Sequence, residues 1–323
     1  MLTALVAHLQ TSIGILQKQD IQTAAQVCQS ATLRSPFPVQ LGDDCAAIPD
    51  GDGYLLLASE GMMPGFVEQD PWFAGWSAVM VNVSDIYAMG GRAIAVVDTL
   101  WSQSAEQAQP LWAGMQAAAR AYNVPIIGGH TNCHSVYNAL SVSILGRASR
   151  LITSFDAQPG QHLLMVVDLK GQMHPRFPFW NAATSADPAQ LQEKLALLPQ
   201  IAERDLCRAG KDISMGGIIG TTLMLLETSG KGAILNLEAI PRPARVPLET
   251  WLTAFPSYGF LLSVNAAQVP LVQQLFRDRH LACEVIGEVN CSSELVLQLQ
   301  QESIRFWDLG QRPLTGFKPD LAG

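Results

Sequence analysis

Between Ala74 and Gly91 the chain reads AGWSAVMVNVSDIYAMGG, which as a helix is apolar on nearly every face until two glycines stop it. Such a helix has no side to offer water, so it must be covered all round inside a sizeable core. Asp85 stands out in that setting. It is one of three acids between residues 71 and 155, set among Val79, Met80, Val81, Val83, Ile86 and Met89, with Asn82 three residues earlier on the same face. A buried carboxylate is costly unless it is paired, caps a backbone segment or binds a metal. The residues alone leave the capping and metal readings open.

Composition agrees with a chain that is mostly interior. Of 323 residues, 48% are hydrophobic and 15% charged, against roughly 25% charged in an average soluble domain. The length leaves room for two domains. With 20 basic and 28 acidic residues and a net charge of −8, a basic nucleic-acid-binding surface is not expected. Six scattered cysteines form no C-x-x-C pair, which fits reduced thiols. The first twenty residues lack a basic n-region, and no run of 18 apolar residues occurs. We therefore expect a cytoplasmic protein with no membrane partner.

Strand and helix patterns alternate along both halves, which predicts an α+β, α/β-rich fold of two domains, 1–155 and 156–323, divided near the Gln-Pro-Gly turn at 158–160. In the first half, amphipathic helices over 1–30 precede a Pro-containing stretch (Ser35, Pro36, Pro38). A hairpin then pairs Cys45–Pro49 with Tyr54–Ala58, with Pro49 opposite Tyr54. Next come the apolar helix, a strand 93–100, a helix 105–122, a strand 124–127, a Gly-Gly turn and a strand 140–145. The second half carries strands near 162–169, 233–237, 260–264, 284–289 and 295–299, with helices near 188–205, 218–228 and 267–280.

Extending the hairpin register outward sets Asp43 opposite Glu60, with Asp44 alongside. Like charges facing across strands are unfavourable, so this end either holds a cation or is screened by water. Two Gly-Gly segments, Gly128-Gly129 after a strand and Gly216-Gly217 before a helix, offer backbone N–H groups of the kind that hold phosphate. Neither a Walker A sequence, nor GxGxxG, nor G-x-S-x-G is present. His130, Cys133 and His134 make a thin case for a transition metal. The segment 171–181, rich in Pro and aromatics and containing Arg176, reads either as a loop packed on its own domain or as a rim over the site.

Taken in order, these pieces resemble the AIR synthase-related superfamily, which includes aminoimidazole ribonucleotide synthetase, the formylglycinamide ribonucleotide amidotransferase core, thiamine monophosphate kinase, selenophosphate synthetase and the hydrogenase-maturation dehydratase. Gly42-Asp43-Asp44 with Ala46 is similar to the G-D-D-A motif, and Asn82 to Gly91 to N-v-s-D-i-a-A-M-G. Gly128-Gly129-His130-Thr131 is similar to G-G-[DEH]-[TS], and Asp212 to Gly217 to the second-domain D-[ivp]-[ST]-x-G-G. The resemblance implies an N-terminal ATP-binding and dimerisation domain, an α+β C-terminal domain and a homodimer. It further implies Mg²⁺ on Asp43, Asp44 and Asp85, with Glu60 as a fourth ligand candidate. ATP is expected near Gly42, Asn82, Gly128, Gly129, Thr131, Gly216 and Gly217, with Asp212 and His130 as catalytic candidates. The expected activity is Mg²⁺/ATP-dependent phosphoryl transfer to a small-molecule substrate. The alternative is an ATP-binding, non-catalytic subunit of an assembly.

Three departures bear on substrate. Ser59-Glu60-Gly61 stands where most members have S/T-D-G. Met215 replaces the second acid of D-I-S-D-G, which argues against thiamine monophosphate. Lys18 is the one lysine before Lys170, and no Gly-rich segment with a reactive Cys accompanies it.

Overall fold

The computed structural model describes residues 2–30 and 39–317, so Ser35, Pro36 and Pro38 lie outside the described residues. The chain forms two compact units that interleave in sequence. The first unit takes Met1–Asp44, Ile152–Ala182 and Ile201–Gly323; the second takes Cys45–Leu151 and Ala183–Gln200. A single cut between 155 and 156 does not describe them, because the N-terminal helices pack with the second half of the chain.

Helix α1 is Leu2–Gln10, α2 is Ile13–Leu16, and a 3-10 turn over Gln17–Asp20 leads into α3, Ile21–Ser30. Leu2, Val6 and Leu9 form the buried stripe of α1. In the second unit, β1 (Ala46–Asp50) and β2 (Gly53–Gly61) form the expected hairpin, with Pro49 opposite Tyr54. Then follow α4 (Pro64–Gln69), α5 (Pro71–Ala88), β3 (Arg92–Trp101), α6 (Ala105–Tyr122), β4 (Ile126–Asn132) and β5 (Ala139–Ala148). Their sheet runs β1-β2-β5-β3-β4, with only the β3–β4 pair parallel.

The apolar helix behaves as its composition demands, since fifteen of its eighteen residues are buried. It begins earlier than the hydrophobic pattern indicated, because Asp70 caps it by accepting the Phe73 N–H at 3.3 Å. Helices α5 and α6 meet at Gly75 and Gly114, where a Cβ on either would strike a backbone carbonyl of the other helix. The Gly128-Gly129 segment is not a turn. It lies inside β4, where Gly129 passes so close to the Asp98 carbonyl of β3 that no Cβ fits.

The chain continues through β6 (His162–Val167), β7 (Gln172–Met173), β8 (Phe179–Asn181), α7 (Pro188–Leu195), α8 (Leu197–Glu203), β9 (Ala209–Asp212), α9 (Gly217–Ser229), β10 (Gly232–Asn236) and α10 (Leu248–Leu252). It ends with β11 (Phe255–Pro256), β12 (Gly259–Val264), α11 (Val269–Arg277), β13 (Ala282–Asn290), β14 (Glu294–Leu299) and β15 (Glu302–Asp308). The large sheet of the first unit runs β15-β14-β10-β13-β6-β12-β9. Its core joins Leu163, Met165, Ile218, Leu223, Leu261 and Phe306, with Leu2 and Leu9 of α1. Segment 171–181 contributes two short strands and packs on its own unit. Trp180 is buried edge-on to Trp251, and its Nε1–H donates to the Asp168 carbonyl at 2.8 Å. No described helix is long and apolar enough to cross a membrane.

Candidate functional site

In the first unit, β9 is an edge strand that nonetheless buries all four of its residues, two of them charged. Lys211 is 1% exposed and Asp212 3%. The Lys211 Nζ lies 2.5 Å from Asp44 Oδ1 and 3.6 Å from Asp43 Oδ1. Asp43 is also held by backbone, its Oδ2 accepting the Ser154 N–H at 2.8 Å and its Oδ1 the Asp44 N–H at 3.0 Å. Asp44 Oδ2 accepts the Asp212 N–H at 3.3 Å, and a carboxylate oxygen of Asp44 lies within 4.8 Å of one on Asp212.

The electrostatics follow from this burial. Loss of water raises the Asp43 carboxyl to about 6; Lys211 opposes that rise and Asp44 adds to it. Burial also works against charge on Lys211, but Asp44 and Asp43 outweigh it and hold the ammonium above its ordinary pKa. Lys211 is the functional candidate that motif reading passes over. Its sequence signal is a lysine immediately before Asp212, the one basic residue between Arg208 and Lys231.

Beyond β9, the chain turns through Ser214 and Met215 into α9. Gly216, at φ +92°, occupies the N-cap position, and no side chain caps the helix. Gly217, at φ +61°, leaves no space for a Cβ beside the Leu252 carbonyl. The N-terminal segment lies on this loop: a Cβ at Gly14 would come within 2.7 Å of the Gly216 nitrogen. Lys18 Nζ donates to Ser214 Oγ at 3.2 Å.

In the second unit, Asn82 and Asp85 sit one turn apart on α5, 0% and 6% exposed. Asn82 Nδ2 donates to the Ala78 carbonyl at 2.8 Å, while its buried Oδ1 has no hydrogen-bond partner among the described residues. Gly128, Gly129, His130 and Thr131 are exposed along β4, an edge strand, with the His130 ring 5.3 Å from that of Trp101. Glu60 is exposed on β2 opposite Val142. The expected facing of Asp43 and Glu60 is not formed by the hairpin, whose ladder ends at Ala46–Leu57; Asp43 and Asp44 instead turn to the Lys211 ammonium. Among the described residues, His130, Cys133 and His134 form no three-ligand cluster.

The geometry defines a class before a family: a two-unit α/β protein with a buried carboxylate group and glycine-rich segments at a helix start and a strand edge. Residues 42–148 match the AIR synthase related protein, N-terminal domain, and residues 163–300 match the C-terminal domain. The chain belongs to the AIR synthase related protein family. An uncharacterized protein of Synechocystis sp. is 58% identical over 321 residues, covering 99% of this chain and 100% of its own length. Thermotoga maritima PurL complexed with ADP shares the fold at TM-score 0.75 and 17% identity, over 95% of this chain and 52% of that one. AaThiL complexed with AMPPCP and TMP shares it at TM-score 0.65 and 18% identity, over 89% and 96%. This chain therefore spans about half the length of the PurL chain.

Proposed function

We propose that this protein is a Mg²⁺- and ATP-dependent enzyme that activates a small polar metabolite by phosphoryl transfer. The observation that carries the reading is the buried approach of the Asp44 and Asp212 carboxylates in a family where solved relatives hold ADP and AMPPCP. Carboxylates that close favour a cation, and an all-oxygen donor set suits a hard ion such as Mg²⁺. The unpartnered, fully buried Asn82 Oδ1 also fits a group that arrives with a ligand.

The family resemblance supplies the remaining assignments. Asp43, Asp44, Glu60 and Asp85 are the proposed metal-holding set, and Mg²⁺ bound there would neutralise phosphate charge. Gly42, Asn82, Gly128, Gly129, Thr131, Gly216 and Gly217 are proposed to border the nucleotide. The start of α9 has no side-chain cap, and its positive dipole end is proposed to favour phosphate charge nearby. Asp212 and His130 are proposed to act on the substrate. Met215 and Glu60, which depart from the motifs of the family resemblance, favour a second reading as a nucleotide-binding subunit without turnover.

We also propose a homodimer. One face of the second unit's sheet leaves Leu57, Ile94, Val97, Ile127 and Leu145 38–69% exposed, a patch that a second copy would cover. The test of function is ADP release from Mg-ATP in the presence of pooled small metabolites, with consumption followed by mass spectrometry. ADP release coupled to loss of one metabolite supports the enzyme. Thermal stabilisation by Mg-ATP without turnover on any pool supports the subunit, and neither effect would defeat both readings.

A further inference from the structure

We propose that the Lys211 ammonium is a built-in cation that takes a metal ion's place between Asp43 and Asp44. Lys211 lies 2.5 Å from one carboxylate and 3.6 Å from the other, and all three side chains are at most 6% exposed. A hard cation between the two carboxylates would neutralise the same pair of charges, at shorter range. The rest of Asp43 is already committed, since its two oxygens accept the Ser154 and Asp44 N–H groups. Asp43, placed in the metal-holding set above on the family resemblance, is by this geometry withdrawn from it and acts as a positioning residue that fixes Asp44. What remains for an incoming ion in this unit is the Asp44 side facing Asp212.

The chemistry has a consequence that an ordinary structural ion pair lacks. If the lysine stands in for an ion, removing the ammonium uncovers a site that a divalent ion can fill. The inference deepens the Mg²⁺-nucleotide reading, which it assumes only in taking this carboxylate group as the metal-binding one, and its test uses metal alone. Purified Lys211→Met and Lys211→Ala proteins are compared with wild type, nucleotide-free, in EDTA and in MnCl2. In EDTA both variants should melt lower by on the order of 10 °C, because two buried carboxylates lose their counter-charge. Mn²⁺ should restore most of that loss, and electron paramagnetic resonance should count one more tightly held Mn²⁺ per chain than in wild type. Variants that Mn²⁺ does not recover, whether folded or unfolded, or that hold the wild-type number of ions, would overturn the proposal. Failure of the nucleotide reading shows separately, as wild type that ignores Mg-ATP while the variants still gain the ion.

Discussion

Burial sets the chemistry of single residues here, and Asp43 shows the sign most clearly. Loss of water pushes its carboxyl up to about 6 in the folded chain, from the ordinary aspartate value of 3.8. Between those values the folded state keeps a proton that the unfolded state has released. This group's contribution to stability is therefore complete below about pH 4 and is lost as pH rises through about 6. Asp43→Asn cannot titrate. Wild-type stability relative to that variant, read from urea midpoints, should fall between about pH 4 and about pH 6 and level off above; a constant difference would refute the shift. The thiols give a second test. Burial lifts Cys207 and Cys283 to about 12 and shields both, whereas Cys28 and Cys291 are exposed. An aromatic disulfide reagent at neutral pH should label Cys28 and Cys291 in the native protein and leave Cys207 and Cys283 for denaturant; early labelling of the buried pair would contradict this.

At the scale of elements, the α5–α6 crossing depends on two glycines whose missing side chains let the backbones touch. Gly114→Ala should destabilise by about 1–3 kcal/mol in chemical denaturation, because the helices must part; an unchanged midpoint would mean the crossing is loose. Elements with end signals and periodicity were legible from the residues. The predicted span of α6, 105–122, is the observed one, since Ser104 caps it by accepting the Gln107 N–H and Asn123 ends it in a left-handed conformation at φ +53°. The hairpin register was legible for the same local reason, but not the point where the ladder stops, which depends on Asp43 and Asp44 finding Lys211. β4 was misread at its glycines because closeness to a neighbouring strand leaves no local trace. β9 was missed because its burial rests on an ion pair, and hydrophobic periodicity is silent about buried charge. The carboxylates of the candidate site were therefore readable, while the lysine that organises two of them was not.

For the molecule as a whole, the exposed apolar sheet face and the proposed nucleotide site make separate demands. Leu57 and Leu145 are direct partners across β2 and β5 and both remain well exposed. Placing glutamate at both should leave the fold intact and halve the mass seen by light scattering, since two buried like charges cannot be desolvated at an interface. A wild-type mass equal to one chain would refute the dimer directly. If buried carboxylates hold a metal-bound nucleotide, Asp85 gives the cleanest handle on it, because asparagine keeps the shape and removes the charge. Calorimetric titration of ATP with and without Mg²⁺, on wild type and Asp85→Asn, tests it most directly. Wild type should bind ATP in a Mg²⁺-dependent way and the folded variant should lose most of that affinity, since an amide oxygen is a far weaker Mg²⁺ ligand than a carboxylate. Equal Mg-ATP affinity in the two proteins would contradict it.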